Sequence, residues 1–156
     1  MKYLTVFSDA SFHQTGAAGY AYYVRDTETI VKDSHKLPWR SRTSTEVELF
    51  AMCHAIIVAI DSLDYQSGDE VVAQTDCTHV IEGFDPSRNF LPEFERNMRD
   101  STLRALGNAG LSLRFKHVKA HTGNEDKRSH VNRFCDTMAR SKQRHARRVG
   151  SRREDA

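Results

Sequence analysis

Apolar and polar residues alternate from the first positions of the chain. Tyr3 to Phe7 reads Tyr-Leu-Thr-Val-Phe, a β-branched and aromatic run with the period of a half-buried strand, and Asp9 falls on the Tyr3, Thr5, Phe7 side of its pleat. A carboxylate there costs several kcal/mol unless it is paired, hydrogen-bonded or bound to a metal, to an order of magnitude. His13 to Ala18 reads as a turn, Gly19 to Val24 as a second strand, Arg25-Asp26-Thr27-Glu28 as another turn and Thr29 to Leu37 as a third strand ended by Pro38. The opening is therefore expected to be a β-β-β antiparallel meander.

The period then changes. Between Thr43 and Leu63, Val47, Phe50, Ala51, His54, Ile57 and Val58 recur at helical spacing with no Gly or Pro among them, which predicts a long helix with those residues as its apolar stripe. Two Ser/Thr-x-x-Glu patterns overlap at its start, Thr43 with Glu46 and Thr45 with Glu48, and only one can be the capping box. If Thr43 and Glu46 form it, Glu48 is left for another task. Residues two apart point about 200° away from each other on a helix, so Glu46 and Glu48 cannot serve one site. Taken alone, Glu48 is a first-turn acid that suits the helix dipole.

Val71 to Asp76 is a short apolar strand that runs into a helix over Thr78 to Gly83. Reached through a helix, that strand is expected to lie parallel to the first by a right-handed crossover, with Asp76 at its carboxyl end, the edge where α/β sheets form sites. Pro92 to Ala109 reads as a helix with a mixed charged face, stopped by Gly110, and Leu111 to Val118 as a fifth strand. A polar loop, Thr122 to Arg128, leads to a last helix from about Ser129 with Val131, Phe134, Cys135 and Met138 as its core stripe. The predicted fold is α/β, a five-stranded mixed sheet of three antiparallel and then parallel strands, flanked by helices.

Composition narrows the class. A chain of 156 residues with 38% hydrophobic and 28% charged residues is one globular domain able to bury its own core. Its start is too short and too soon charged for a signal peptide, and no apolar run reaches the roughly 18 residues of a membrane span. A cytoplasmic protein without membrane contact is expected. Cys53, Cys77 and Cys135 lie far apart, as free thiols in a reducing compartment do. Charge is uneven: residues 140–156 carry seven bases and two acids, a net +5 that leaves −3 on the first 139 residues. A basic tail on a mildly acidic body fits either a polyanionic partner or a frayed, solubilising end.

Four acids stand out in order along the chain: Asp9 on the first strand, Glu48 near the start of the first helix, Asp76 at the end of the fourth strand and Asp136 in the last helix. In β-β-β-α-β-α-β-α order they can converge on one sheet edge, where their repulsion requires cations. Hard oxygen donors suit Mg²⁺ or Mn²⁺, and two such ions about 4 Å apart can activate water and stabilise the leaving oxygen of a phosphodiester.

The pieces Ser-Asp9-Ala-Ser, Thr43-Ser-Thr-Glu-Val-Glu48-Leu, Gln-Thr-Asp76-Cys, and Val-Lys-Ala-His121 followed by Asn132-Arg-Phe-Cys-Asp136-Thr-Met-Ala resemble ribonuclease H of type 1, over about residues 3 to 142. The resemblance implies a ribonuclease H-like catalytic domain over residues 1–142, a basic tail over 143–156, and hydrolysis of the RNA strand of RNA–DNA hybrids to 5′-phosphate and 3′-hydroxyl ends. It implies two Mg²⁺ ions, with Mn²⁺ as the alternative, held by Asp9, Glu48, Asp76 and Asp136. His121 would act in proton transfer or product release, and Thr43, Ser44, Thr45, Ala10 and Asn132 on the substrate side. A monomer is expected.

Each accessory residue also has a plainer role. Thr43 can be a cap and a phosphate contact at once, since a helix N-terminus offers N–H groups to anions. Asn132 can be a solvated polar residue one turn before Asp136. His117, four before His121, has the spacing of a zinc half-site but reads as a packed or hydrogen-bonded strand residue.

The chain also departs from many relatives. Phe84 to Gly110 has no tryptophan and mixes Asp85, Glu93, Glu95 and Asp100 with arginines where others carry a basic protrusion, so it resembles the handle-less retroviral and archaeal variants. Ser44 and Thr45 stand where many members place Asn or Gln against RNA 2′-hydroxyls, with shorter reach. A nuclease acting on DNA, a non-catalytic hybrid-binding module and one domain of a reverse transcriptase remain the other readings. A start at Met1 with its own tail is expected of a stand-alone protein.

Overall fold

The computed structural model describes residues 1–118 and 127–154, with side chains described over 1–118 and 130–149. The opening alternation forms β1 (Tyr3–Phe12), β2 (Ala18–Arg25) and β3 (Ile30–Lys36), an antiparallel meander in which Asp9 pairs with Ala21. Its second turn closes on Asp26, whose carboxylate accepts the N–H groups of Glu28 and Thr29 at 2.8 and 2.7 Å. β1 runs five residues past Phe7, so Asp9 sits inside the strand, not at its end.

Helix α1 (Ser44–Ser62) crosses over to β4 (Glu70–Thr75), which pairs parallel with β1. α2 (Thr78–Gly83) and α3 (Glu93–Ala109) follow, and β5 (Ser112–His117) adds parallel to β4. Gly110 ends α3 in the left-handed region (φ 71), a conformation that glycine adopts without the Cβ penalty. Strand order is β3-β2-β1-β4-β5, the mixed sheet expected. Both edges carry charge: Lys32, Asp33 and Lys36 on β3, Arg114 and Lys116 on β5.

The two faces of β1 serve different cores. Leu4 and Val6 point to a large cluster with α1, where Val47, Leu49, Met52 and Ile56 are fully buried. Phe7 points the other way, to a small cluster with Cys135 and Ala139. α1 does not bury the stripe its spacing suggests. It lies between the sheet and α3, so burial spreads around it to Leu49, Met52, Cys53, Ala55 and Ile56, while Ile57 and Val58 stay half-buried. Phe50 and His54 join an aromatic layer on β2, where Tyr20 Oη lies 2.7 Å from His54 Nδ1.

The small cluster is covered by α4 (Lys127–Glu154), 28 residues long. Lys127 and Arg128, expected in the loop, are its first residues, and the helix continues through position 143 to Glu154 without a break at the start of the basic tail. Its approach to the sheet is close. A Cβ on Gly19 of β2 would stand 2.3 Å from Gln143 N and 2.5 Å from Ala139 O, backbone atoms that cannot move aside. Cys53 and Cys135 are buried free thiols, and Cys77 is free and half-buried.

Candidate active site

Three elements that meet at the carboxyl edge of β1, two strands and one helix, each deliver one acid. Asp9 lies inside β1, Asp76 follows the last residue of β4, and Glu48 sits in the second turn of α1. Thr43 fixes that turn. Its backbone is extended (φ −144, ψ 157), and its Oγ1 accepts the N–H of Glu46 at 3.2 Å. The reciprocal half of the capping box is displaced by one residue: the Glu46 carboxylate accepts from Arg42 N and Ser41 Oγ, both at 3.1 Å, and leaves the Thr43 N–H. Glu48 is thereby free of capping duty.

Carboxylate oxygens of Asp9, Glu48 and Asp76 lie within 4.8 Å of one another. Among the described residues Asp136 is not part of that group. Its Oδ1 accepts from Arg140 Nε at 3.1 Å, one turn further along α4, yet it is close enough for its charge to be felt at Asp9 and Glu48. Burial, then the charge of Asp76, pushes the Asp9 carboxyl up to about 7, against a hydrogen bond from the Ala10 N–H at 2.9 Å that pulls it down. Burial, followed by Asp9 and Asp76, raises Glu48 well above the carboxylate range. Such mutual repulsion is what a cation relieves.

Glu48 Oε2 is fully buried and, among the described residues, has no hydrogen-bond partner. An orphaned carboxylate oxygen facing two further carboxylates, with no nitrogen or sulfur in the set, fits a hard divalent cation with places left for water and substrate. Zinc prefers other donors.

The substrate-side candidates fall around this edge. Thr43 and Ser44 are exposed and Thr45 half-buried, with the Thr43 and Thr45 hydroxyls 3.1 Å apart. Ala10 contributes a backbone N–H. Asn132 is half-buried on α4, one turn before Asp136. His117 is exposed and its Nε2 lies 3.2 Å from the Asp76 carbonyl, a hydrogen-bonded strand residue as read. His121 lies outside the described residues. The residue overlooked in the sequence is Arg140, and the signal was there, an opposite charge four positions after Asp136 on a helix.

A family model for RNase H matches residues 1–144. No curated protein matches the chain by sequence. Solved structures do match in shape. The N-terminal RNase H domain of a Mycobacterium tuberculosis protein superposes with a TM-score of 0.75 at 13% identity, covering 96% of this chain and 99% of that one. RNase H1 from the halophilic archaeon Halobacterium salinarum gives 0.71 at 16% identity, over 92% and 99%. LC11-RNase H1 in complex with an RNA/DNA hybrid gives 0.66 at 13% identity, over 92% and 98%. The sheet order, the acidic edge and the family match over nearly the whole chain agree, and the chain belongs to the RNase H family of hydrolases.

Proposed function

We propose that this protein is an endonuclease that hydrolyses the RNA strand of RNA–DNA hybrids with two divalent cations, Mg²⁺ or Mn²⁺, leaving 5′-phosphate and 3′-hydroxyl ends. The carboxylate trio carries this reading: three acids from three elements share one edge, and among the described residues the buried Glu48 Oε2 has no hydrogen-bond partner. That a family member of the same fold has been solved with an RNA/DNA hybrid supports the substrate.

Asp9, Glu48 and Asp76 would hold the cations, with Asp136 as the fourth ligand once released from Arg140. When bound, the cations supply Lewis acidity, lowering the pKa of a water and offsetting charge on the phosphodiester. Water adds to phosphorus, the P–O3′ bond breaks, and the 3′-oxygen takes up a proton. His121 would move that proton or help the product leave. The N-terminus of α1 would orient the substrate, its free N–H groups and the Thr43, Ser44 and Thr45 hydroxyls meeting backbone phosphate and sugar, while the Ala10 N–H and Asn132 border the ligands.

The test is cleavage of a labelled hybrid beside RNA duplex, DNA duplex and single strands, with Mg²⁺, Mn²⁺ or EDTA, for wild type and Asp76→Asn. Metal-dependent cutting of the hybrid's RNA strand, lost in the variant, is expected. Cutting of DNA instead would overturn the substrate, and hybrid binding without cutting would overturn the chemistry.

A further inference from the structure

The direction of α4 is set by two contacts on β2. The Phe134 ring packs on Tyr23 at 6.3 Å between centroids, and the backbone at Gln143 sits on Gly19. Tyr23 pairs with Phe7 and Gly19 with Ser11, so α4 runs alongside β1 from Phe7 towards Ser11 and passes Asp9 on the way. Its far end therefore leaves the sheet at the edge that holds the carboxylates. Gln143 is the last buried residue of the described part, and beyond it Arg144, Arg147 and Arg148 are exposed.

Among the described residues no acid pairs with those arginines, and Arg148 Nε donates within the helix to the Arg144 carbonyl at 3.4 Å. Residues 140–149 contain five bases, Arg140, Lys142, Arg144, Arg147 and Arg148, and no acid. Arginines at i,i+4 repel, as 140 with 144 and 144 with 148, and past Gln143 the described side chains half-bury Ala146 and Val149 and fully bury none. The side chains also have a common direction. Arg140, Arg144 and Arg147 follow Asp136 at offsets of 4, 8 and 11, which places them on the flank of α4 that faces the site, and Arg148, at offset 12, widens the row about a third of the way round the helix. At about 1.5 Å per residue the stretch from Asp136 to Arg148 spans roughly 18 Å. A nucleic-acid strand presents a phosphate about every 3.4 Å of axis, so the row is long enough to meet several. No other long helix offers this. Between Glu93 and Ala109, α3 balances three acids with three bases, and α1 has three acids and no base.

We propose that the overhanging end of α4, Arg144, Arg147 and Arg148, is a phosphate track that grips the backbone of the duplex whose scissile phosphate lies at the carboxylate edge. It deepens the hydrolase reading and rests on it for the identity of the duplex. The contacts are to phosphate and are indifferent to sequence, so they set affinity and its dependence on salt.

The experiment is binding of a fluorescein-labelled RNA–DNA hybrid, and of a DNA duplex of the same sequence, in EDTA between 50 and 300 mM salt. Full-length wild type is compared with the triple variant Arg144→Gln, Arg147→Gln, Arg148→Gln and with its Lys counterpart. At about 0.9 per phosphate contact, the Gln variant should lose roughly 2–3 from the slope of log affinity against log salt, while the Lys variant keeps most of it. An unchanged slope in a Gln variant of native circular dichroism overturns the track. Should the Gln variant not fold, a wild-type slope shallower than about 2 overturns it and a steeper one, kept by the Lys variant, upholds it. Cleavage is scored separately. A wild type that cuts no hybrid but binds duplex with an arginine-dependent slope would retire the hydrolase and keep the track.

Discussion

α1 and α4 cover opposite faces of one sheet, and each bears on the same edge, α1 by placing Glu48 in the carboxylate group and α4 by the charge of Asp136, yet they are built from opposite materials. α1 carries three acids and no base, is free of Gly and Pro, and is buried on most of its circumference. α4 carries ten bases and two acids and buries one stripe that ends at Gln143. The difference separates two kinds of stability. α1 is held by displaced water and packing, and its carboxylate is fixed because the helix cannot shift. α4 is held by one stripe packed on β1, β2 and β3, and the arginines past Gln143 are left exposed.

Truncation in each helix tests this most directly. Ile56→Ala in α1 should cost about 2–5 kcal/mol, since the side chain is fully buried, whereas Arg144→Gln should stay within about 0.5 kcal/mol. Denaturant unfolding measures both, and similar losses would erase the contrast. Gly19→Ala comes next. Its new methyl meets the α4 backbone, so a loss of about 1–3 kcal/mol is expected from overpacking, and a silent substitution would mean that the seam is loose.

The third test uses pH without metal. Because Asp9 is raised to about 7 from an unfolded value near 3.8, the native state holds its proton more tightly, and stability should fall as pH rises from about 4 to about 7 and level off above. Asp9→Asn removes that penalty. In EDTA at pH 8 it should raise Tm by roughly 3–6 °C, with little gain near pH 4, and an equal gain at both values would point to packing instead. Of the substitutions expected to destabilise, Thr43→Ala should cost least, about 1 kcal/mol for the lost cap, read by the same denaturant titration.

Much of this was legible from residue order alone. Alternation gave the meander, the apolar run before Asp76 gave the parallel strand, and three of the four acids proposed as ligands meet as their elements required. What was hidden has physical causes. The stripe of α1 could not be read because a helix packed on two sides buries residues all round, so periodicity loses its contrast. The basic tail was set apart at 143 by its charge, but Arg, Ala and Gln are good helix formers, and the backbone responds to propensity before net charge. The displaced partner of Glu46 depends on where Arg42 and Ser41 lie in space, which a four-residue pattern does not encode.

The charged margins of the sheet bear on what happens when many copies crowd together. β3 and β5 each leave a row of backbone groups open to another strand, and edges of that kind seed fibrils. Lys32, Asp33 and Lys36 on one margin, and Arg114 and Lys116 on the other, put hydrated side chains where a docking strand would have to lie. When copies crowd, these charges disfavour a neighbour's strand zipping onto either margin.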